Sequence, residues 1–231
     1  MKKLNIILGL AVFAMVTLFS CKDETGVFVD QVYTNNQKAT AIRACLLASA
    51  DTAISHLCVA DGFYIYKDSA YRIDYSALQN SLFDTLANHG YGNLADSLIL
   101  FTNRMAESCG AQLSPSFKEA INKMEILDYD RLVDGEDGDI TDYFNLYETE
   151  YLKSAFQTPV SIRLSLYGVN STWNAMVQKY TQYATTPLNF DLQNYVIDKM
   201  LDGLIQEMRL EEALIRSDST HRTETMRLLG R

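Results

Sequence analysis

The sequence predicts an all-α fold: a single-domain bundle of about eight helices with a long buried helix near the C-terminus. Three observations carry that prediction. Apolar residues recur at spacings of three and four along most of the chain, the period of a helix with one buried face. Ser, Asp, Asn or Pro stands ahead of these runs and Gly behind them, as helix starts and stops require. Only residues 63–75 are rich in strand-favouring side chains, and one such run is too short to make a sheet by itself.

The chain opens with Met1, Lys2 and Lys3, followed by an apolar run from Leu4 to Phe19, the pattern of a secretion signal over residues 1–20. That run falls short of the roughly 20 residues that cross about 30 Å of hydrocarbon, and Lys22, Asp23 and Glu24 follow at once, which disfavours a retained transmembrane helix. Leu18, Phe19, Ser20 and Cys21 resemble a lipobox. The resemblance implies that Cys21 becomes the lipid-bearing first residue, its two or three acyl chains, palmitate among them, holding the protein at a membrane. Lys22 to Glu24 resemble the short export signal of Bacteroidota lipoproteins, implying the outer membrane, with the cell surface favoured over the periplasmic face. Residues 21–38 then read as the lipidated cysteine and a polar tether.

The helical domain is expected over residues 39–231. Ile42, Cys45, Leu46, Ala53, Ile54 and Leu57 predict a first helix from Ala39 to Ala60, ended by Asp61 and Gly62. Phe63 to Tyr75 reads as an irregular connector. Ser76 opens a second helix to Asn88, and Asn93 is expected to cap a third with a stripe of Leu94, Leu98, Phe101, Met105 and Cys109. Ser114 and Pro115 predict the start of a fourth helix ending near Leu127, since a first-turn proline lacks an amide that would have no partner anyway. The acidic loop Asp134 to Asp139 leads into a helix through Leu152. Pro159 is expected to restart helix after a turn, Gly168 to stop it, and Asn170 or Ser171 to begin another with Trp173 and Tyr180. After Pro187 and Asn189, Asp191 caps the longest helix, Leu192 to Arg216, whose wide apolar face places it deep in the bundle. A short helix from Thr220 to Leu229 closes the chain.

Composition narrows the partners. The chain has 20 basic and 29 acidic residues; residues 1–20 hold two of the lysines and no acid, so 18 against 29 remain, a formal charge of −11. Nucleic acid and anionic lipid head groups are poor partners for such a surface. Membrane contact is expected through the N-terminal lipid alone. Cys45, Cys58 and Cys109 lie in helical apolar patterns without CxxC spacing, which favours core residues and leaves a single disulfide open.

Near its end the sequence resembles the bacterial family called domain of unknown function 4197. The match rests on Tyr195, Val196, Lys199, Leu201, Asp202, Gly203, Leu204, Glu211, Glu212, Ile215 and Arg216, on Asn103, Arg104, Ala106 and Glu107, and on Thr141, Tyr143 and Phe144. Leu210 and Ala213 stand where the family has an acid and a lysine. The resemblance implies an all-helical envelope protein and brings no activity.

The candidate catalytic residues are Glu211, Glu212, Arg104 and Glu107. On a helical wheel Glu207 and Glu211 fall within the apolar arc of the long helix, and buried carboxylates are costly unless paired. A network in which Glu211 or Glu212 meets Arg104, beside Asn103 and Glu107, would line a pocket suited to acid or base work. The weightier alternative is a structural ion pair or a solvated rim. Mid-helix Gly203 is expected to admit a close neighbour. Asp137, Asp139, Thr141 and Glu148 fall at calcium-loop positions, but Asp142 occupies the glycine place, so acids at a helix start are favoured. His56, His89 and His221 are far apart in sequence, and no cofactor or metal is expected. The chain therefore reads as a non-enzymatic module that binds a protein or envelope ligand, the alternative being an enzyme with a buried Glu/Arg cleft.

Overall fold

Helix α1 (Asn35–Leu57) begins four residues before Ala39, because Thr34 and Gln37 form a capping box. The Gln37 amide donates to Thr34 Oγ1 at 3.3 Å and the Thr34 amide to Gln37 Oε1 at 2.9 Å. This cap precedes the first buried position, Ala39, so the apolar period alone places the start too late. The structure, a computed structural model, describes residues 32–230 apart from residue 185. The expected secretion signal, Cys21 and most of the expected tether lie outside the described residues.

Helix α1 ends at Leu57, three residues short of the expected Ala60, and Phe63 to Tyr75 is largely irregular as expected, yet it belongs to the core: Phe63, Ile73 and Tyr75 are fully buried and Tyr71 nearly so. Gly62 makes the reversal possible, since a Cβ there would lie 2.4 Å from the Leu57 carbonyl oxygen. The one-turn α2 (Tyr66–Ser69) contains left-handed backbone: φ is +49° at Lys67, +57° at Asp68 and +67° at Ser69. Each such non-glycine residue costs roughly 1–2 kcal/mol, so other contacts must hold this turn.

From Ser76 the chain passes through a 3-10 turn (Ser76–Leu78) and a π turn (Gln79–Phe83) into α3 (Asp84–Asn88). Helix α4 (Asn93–Glu107) is preceded by Gly92 at the cap position, with no side-chain cap, so Asn93 is its first helical residue. Leu98, Met105 and Cys109 of the expected stripe are buried, whereas Phe101 is 37% exposed. Helix α5 (Gly110–Lys123) starts five residues before Pro115, which lies inside it. Ser108 and Cys109 keep right-handed helical angles, so the helix resumes at once, with the Gln112 and Leu113 amides donating to the Cys109 carbonyl. It ends at Lys123 rather than near Leu127, and the following Met124 and Ile126 pack into the core as non-helical backbone.

Helix α6 (Tyr129–Val133), absent from the expectation, is capped by Asp128, which accepts from the Arg131 amide at 3.1 Å. Helix α7 (Asp139–Leu166) runs unbroken through Pro159, where two helices were expected. Phe156, Val160 and Leu164 keep one buried stripe across the proline, and packing outweighs the lost amide bond. Gly168, at φ +75°, turns the chain into α8 (Val169–Tyr180). Helix α9 (Leu192–Ser217) is capped by Asp191 as expected. The chain ends in two 3-10 turns, Ser219–His221 and Glu224–Leu229, rather than one α-helix.

Helices α1 and α9 form the central pair. Helix α7 packs on α9, α5 lies against both α1 and α7, α8 lies on α4, and the last 3-10 turn returns to α1. No strand occurs among the described residues, and none of their helices is long and apolar enough to cross a membrane.

Candidate functional site

Five residues of helix turn a side chain by about 140°, so Glu207 and Glu212 of α9 face different parts of the molecule. Glu207 faces the connector. Its Oε2 accepts from Lys67 Nζ at 2.7 Å and Tyr71 OH at 2.5 Å, while its Oε1 accepts from Tyr66 OH at 3.2 Å and lies 2.8 Å from His56 Nδ1. Burial pushes this carboxyl up, but the Lys67, Tyr71 and His56 hydrogen bonds outweigh it and hold the group below the usual carboxylate range. Burial and the bond to Glu207 raise the Tyr71 phenol. Lys67 also stands 5.1 Å from the centre of the Tyr66 ring, and Tyr66 stacks on Tyr71 at 6.1 Å. The cluster pins the left-handed turn to α9. Gly203, one turn earlier, admits the same connector: a Cβ there would lie 3.2 Å from the Phe63 ring and 3.6 Å from that of Tyr71.

Glu212 is fully buried and accepts four hydrogen bonds. Three come from the first turn of α7: the Ile140 amide at 3.1 Å, the Thr141 amide at 2.8 Å and Thr141 Oγ1 at 2.7 Å. The fourth is Arg216 Nε at 2.9 Å. Arg216, also fully buried, donates through Nη1 to the Val133 carbonyl and through Nη2 to the Leu132 carbonyl, at the end of α6. One ion pair thus satisfies the free amides at the start of α7 and free carbonyls at the end of α6, across the acidic loop between them.

Arg104 does not meet Glu211 or Glu212. It donates to Glu107 Oε2 at 2.8 Å and to Asp61 Oδ1 at 2.6 Å, and stacks over Tyr64 at 5.2 Å. Glu107 accepts in addition from the Tyr64 amide at 3.1 Å. Asn103 accepts from the Ile73 amide at 2.9 Å and donates to the Ile73 carbonyl at 3.0 Å, and Thr102 bonds Tyr75 OH at 2.6 Å. The Asn-Arg-x-Ala-Glu segment therefore braces the connector from the α4 side. The expected Glu/Arg network is divided, because Arg216, one turn from Glu212 on its own helix, takes the place assigned to Arg104. Glu211 bonds His221 Nδ1 at 3.1 Å on the rim.

Sequence reasoning missed Tyr66, Lys67, Tyr71 and His56 as partners of Glu207. The tyrosine-rich connector was the only signal for Tyr66, Lys67 and Tyr71, His56 on α1 gave none, and the 136 to 151 residues that separate the four from Glu207 gave no pairing. Two members of the calcium-like run are engaged elsewhere: Asp139 Oδ2 accepts locally from the Glu136 amide, and Thr141 Oγ1 donates across the bundle to Glu212. Among the described residues, no group of three or more His, Cys, Asp or Glu side chains could hold a metal ion.

Two polar clefts open along α9. A polar cleft of about 530 Å³ between α7 and α9 is lined by Asn145, Thr149, Lys153, Asp198, Gln206 and Arg209, and one of about 350 Å³ opens toward Arg72 and Asp74. No curated protein matches the chain, and no solved structure does. Asn103, Arg104 and Glu107, which brace the connector, and Thr141, Glu212 and Arg216, which join α6 to α7, are among the residues that carried the resemblance. A family model matches over residues 32–229, and the chain belongs to the family it describes, Protein of unknown function (DUF4197).

Proposed function

We propose that the chain is a lipid-anchored envelope protein, held through Cys21 in the outer membrane, and that its helical domain binds a protein or another envelope ligand without catalysing a reaction. The saturation of Glu212 supports this reading most. A general acid or base must present a proton or a lone pair to its substrate. The fully buried Glu212 carboxylate spends its oxygens on α7 and Arg216. The polar cleft between α7 and α9 remains free to contact a hydrogen-bonding ligand.

Crosslinking in the native envelope, with the captured partner identified by mass spectrometry, tests the binding role. A discrete partner is expected, lost in Lys153→Glu and Arg209→Glu chains that keep their helical content; capture unchanged by both would overturn the placement in this cleft. Cys21→Ser should move the chain from the detergent to the aqueous phase on extraction. Protease shaving of intact cells should digest the wild-type chain if it faces outward.

A second reading, an enzyme, has His56 in its favour. This ring is half-exposed and its Nδ1 is oriented by the buried Glu207, the arrangement a general base uses. Under that reading His56→Gln abolishes turnover of a substrate; under the binding reading it leaves partner capture unchanged.

A further inference from the structure

We propose that Cys58 and Cys109 are a redox pair, closing into a disulfide when the chain meets an oxidised dithiol, while Cys45 stays a thiol. Cys58 is the residue that ends α1, and Cys109 is the residue that precedes α5. The two helix ends touch through Gly110: a Cβ there would lie 2.8 Å from Cys58 Cβ and 3.7 Å from Cys58 Sγ. Cys109, the next residue back, is near enough for its sulfur to act electrostatically on the Cys58 thiol, and its Sγ now donates to the Met105 carbonyl at 3.3 Å. Closure requires the Cys109 thiol to leave that carbonyl. Cys45 is excluded by helix geometry. It lies 13 residues before Cys58 along α1, about 20 Å at 1.5 Å per residue, far beyond the reach of a disulfide.

Exposure orders the steps, since burial keeps both thiols largely protonated. Burial pushes Cys58 up to about 12, with the neighbouring Cys109 sulfur adding to it. Burial raises Cys109 only to about 11, because the Arg163 guanidinium and Ser108 oppose it. Cys58 is partly exposed and Cys109 buried, so an external disulfide meets Cys58 first. The Cys58 thiolate attacks one sulfur of the oxidised dithiol, whose S–S bond breaks to leave a mixed disulfide and one thiolate. The Cys109 thiolate then attacks Cys58 Sγ, forming the Cys58–Cys109 bond and expelling the partner's second sulfur as a thiolate. Two electrons and two protons pass from the cysteine pair to the partner, which ends as a dithiol, or as two thiols when the partner is oxidised glutathione. The bridge closes the segment that holds the connector, and constrains it in the unfolded chain.

The inference rests on the export reading only for where the oxidant is met. Full-length Cys21→Ser protein treated with oxidised glutathione should fall from three titratable thiols to one, and non-reducing peptide mapping should show a 58–109 crosslink. The thermal midpoint should rise by roughly 5–10 °C, the scale expected for closing a loop of this size. Cys109→Ser should stop at a stable mixed disulfide on Cys58, and Cys45→Ser should leave the 58–109 crosslink in place while the thiol count falls from two to none. Three thiols persisting after oxidation, or a crosslink to Cys45, would overturn the pair. If the bridge forms in vitro but protein taken directly from cells is fully reduced, the pair stands and the export reading falls.

Discussion

Glu207 and Glu212 lie five residues apart on one helix and do similar work, each holding a stretch of chain that cannot hold itself. Their surroundings differ. Glu212 sits in a sealed interior, its partner Arg216 equally buried, and both groups are spent on helix ends. Glu207 is as well covered, but two of its partners arrive from solvent: the His56 side chain is 43% exposed and that of Lys67 38%. A buried ion pair is tolerated only when further hydrogen bonds meet its unused lone pairs and protons, and removing one member leaves a charge with nothing to offset its desolvation. At the rim, water can replace a missing partner. The interior pair should therefore be brittle and the rim cluster forgiving.

The largest effect is expected at the interior. Arg216→Met leaves the Glu212 carboxylate buried without its cation, and should cost about 3–5 kcal/mol. For a domain of this size that lowers the thermal midpoint by roughly 10 °C. Adding Glu212→Gln should recover part of the loss, because the remaining amide no longer carries a buried charge, and a double-mutant cycle would read the coupling. A single-variant cost under about 1 kcal/mol would erase the distinction between the two sites.

At the rim, Glu207→Gln should cost less, about 1–3 kcal/mol, and locally. The Gln keeps the shape and an acceptor for Tyr71 but loses the charge that Lys67 faces. The strained turn at Lys67 to Ser69 then lacks the contact that offsets its left-handed backbone. Amide exchange should quicken across residues 61–75 while Ile140 and Thr141 keep wild-type protection. Equal quickening at both places would mean that the two regions open as one unit.

What was legible in the sequence divides along the same line. The cap at Asp191, the wide face of α9 and the burial of Glu207 depend on residues within a turn or two of each other, so a helical period reveals them. The pair Glu212–Arg216 has an i, i+4 spacing and is equally readable, although the cation expected for Glu212 was Arg104. Pro115 and Pro159 were read as helix starts because a local signal says nothing about the buried stripes that carry α5 and α7 past them. The partners of Glu207 were out of reach: Lys67 and Tyr71 meet it only because the connector folds back over Gly203, a tertiary event without a period.

Acid provides the finest separation of the two sites. The folded-state pKa of Glu207 lies below the ordinary value near 4.3 to 4.5, so within the window between the two the unfolded chain binds more protons than the folded one. Stability from this group is therefore fully present above about pH 5, declines as pH falls through the carboxylate range, and is gone below the folded value. Protonation leaves an acceptor for Tyr71 in place, as the Gln substitution does, which sets that substitution as the ceiling of the effect. Urea midpoints measured between pH 6 and pH 3 should fall more steeply in the wild type than in Glu207→Gln, the two curves converging at the acid end. Parallel curves would show that Lys67 and His56 do not hold the carboxylate ionised, and the rim would then owe its cohesion to tyrosine packing rather than to charge.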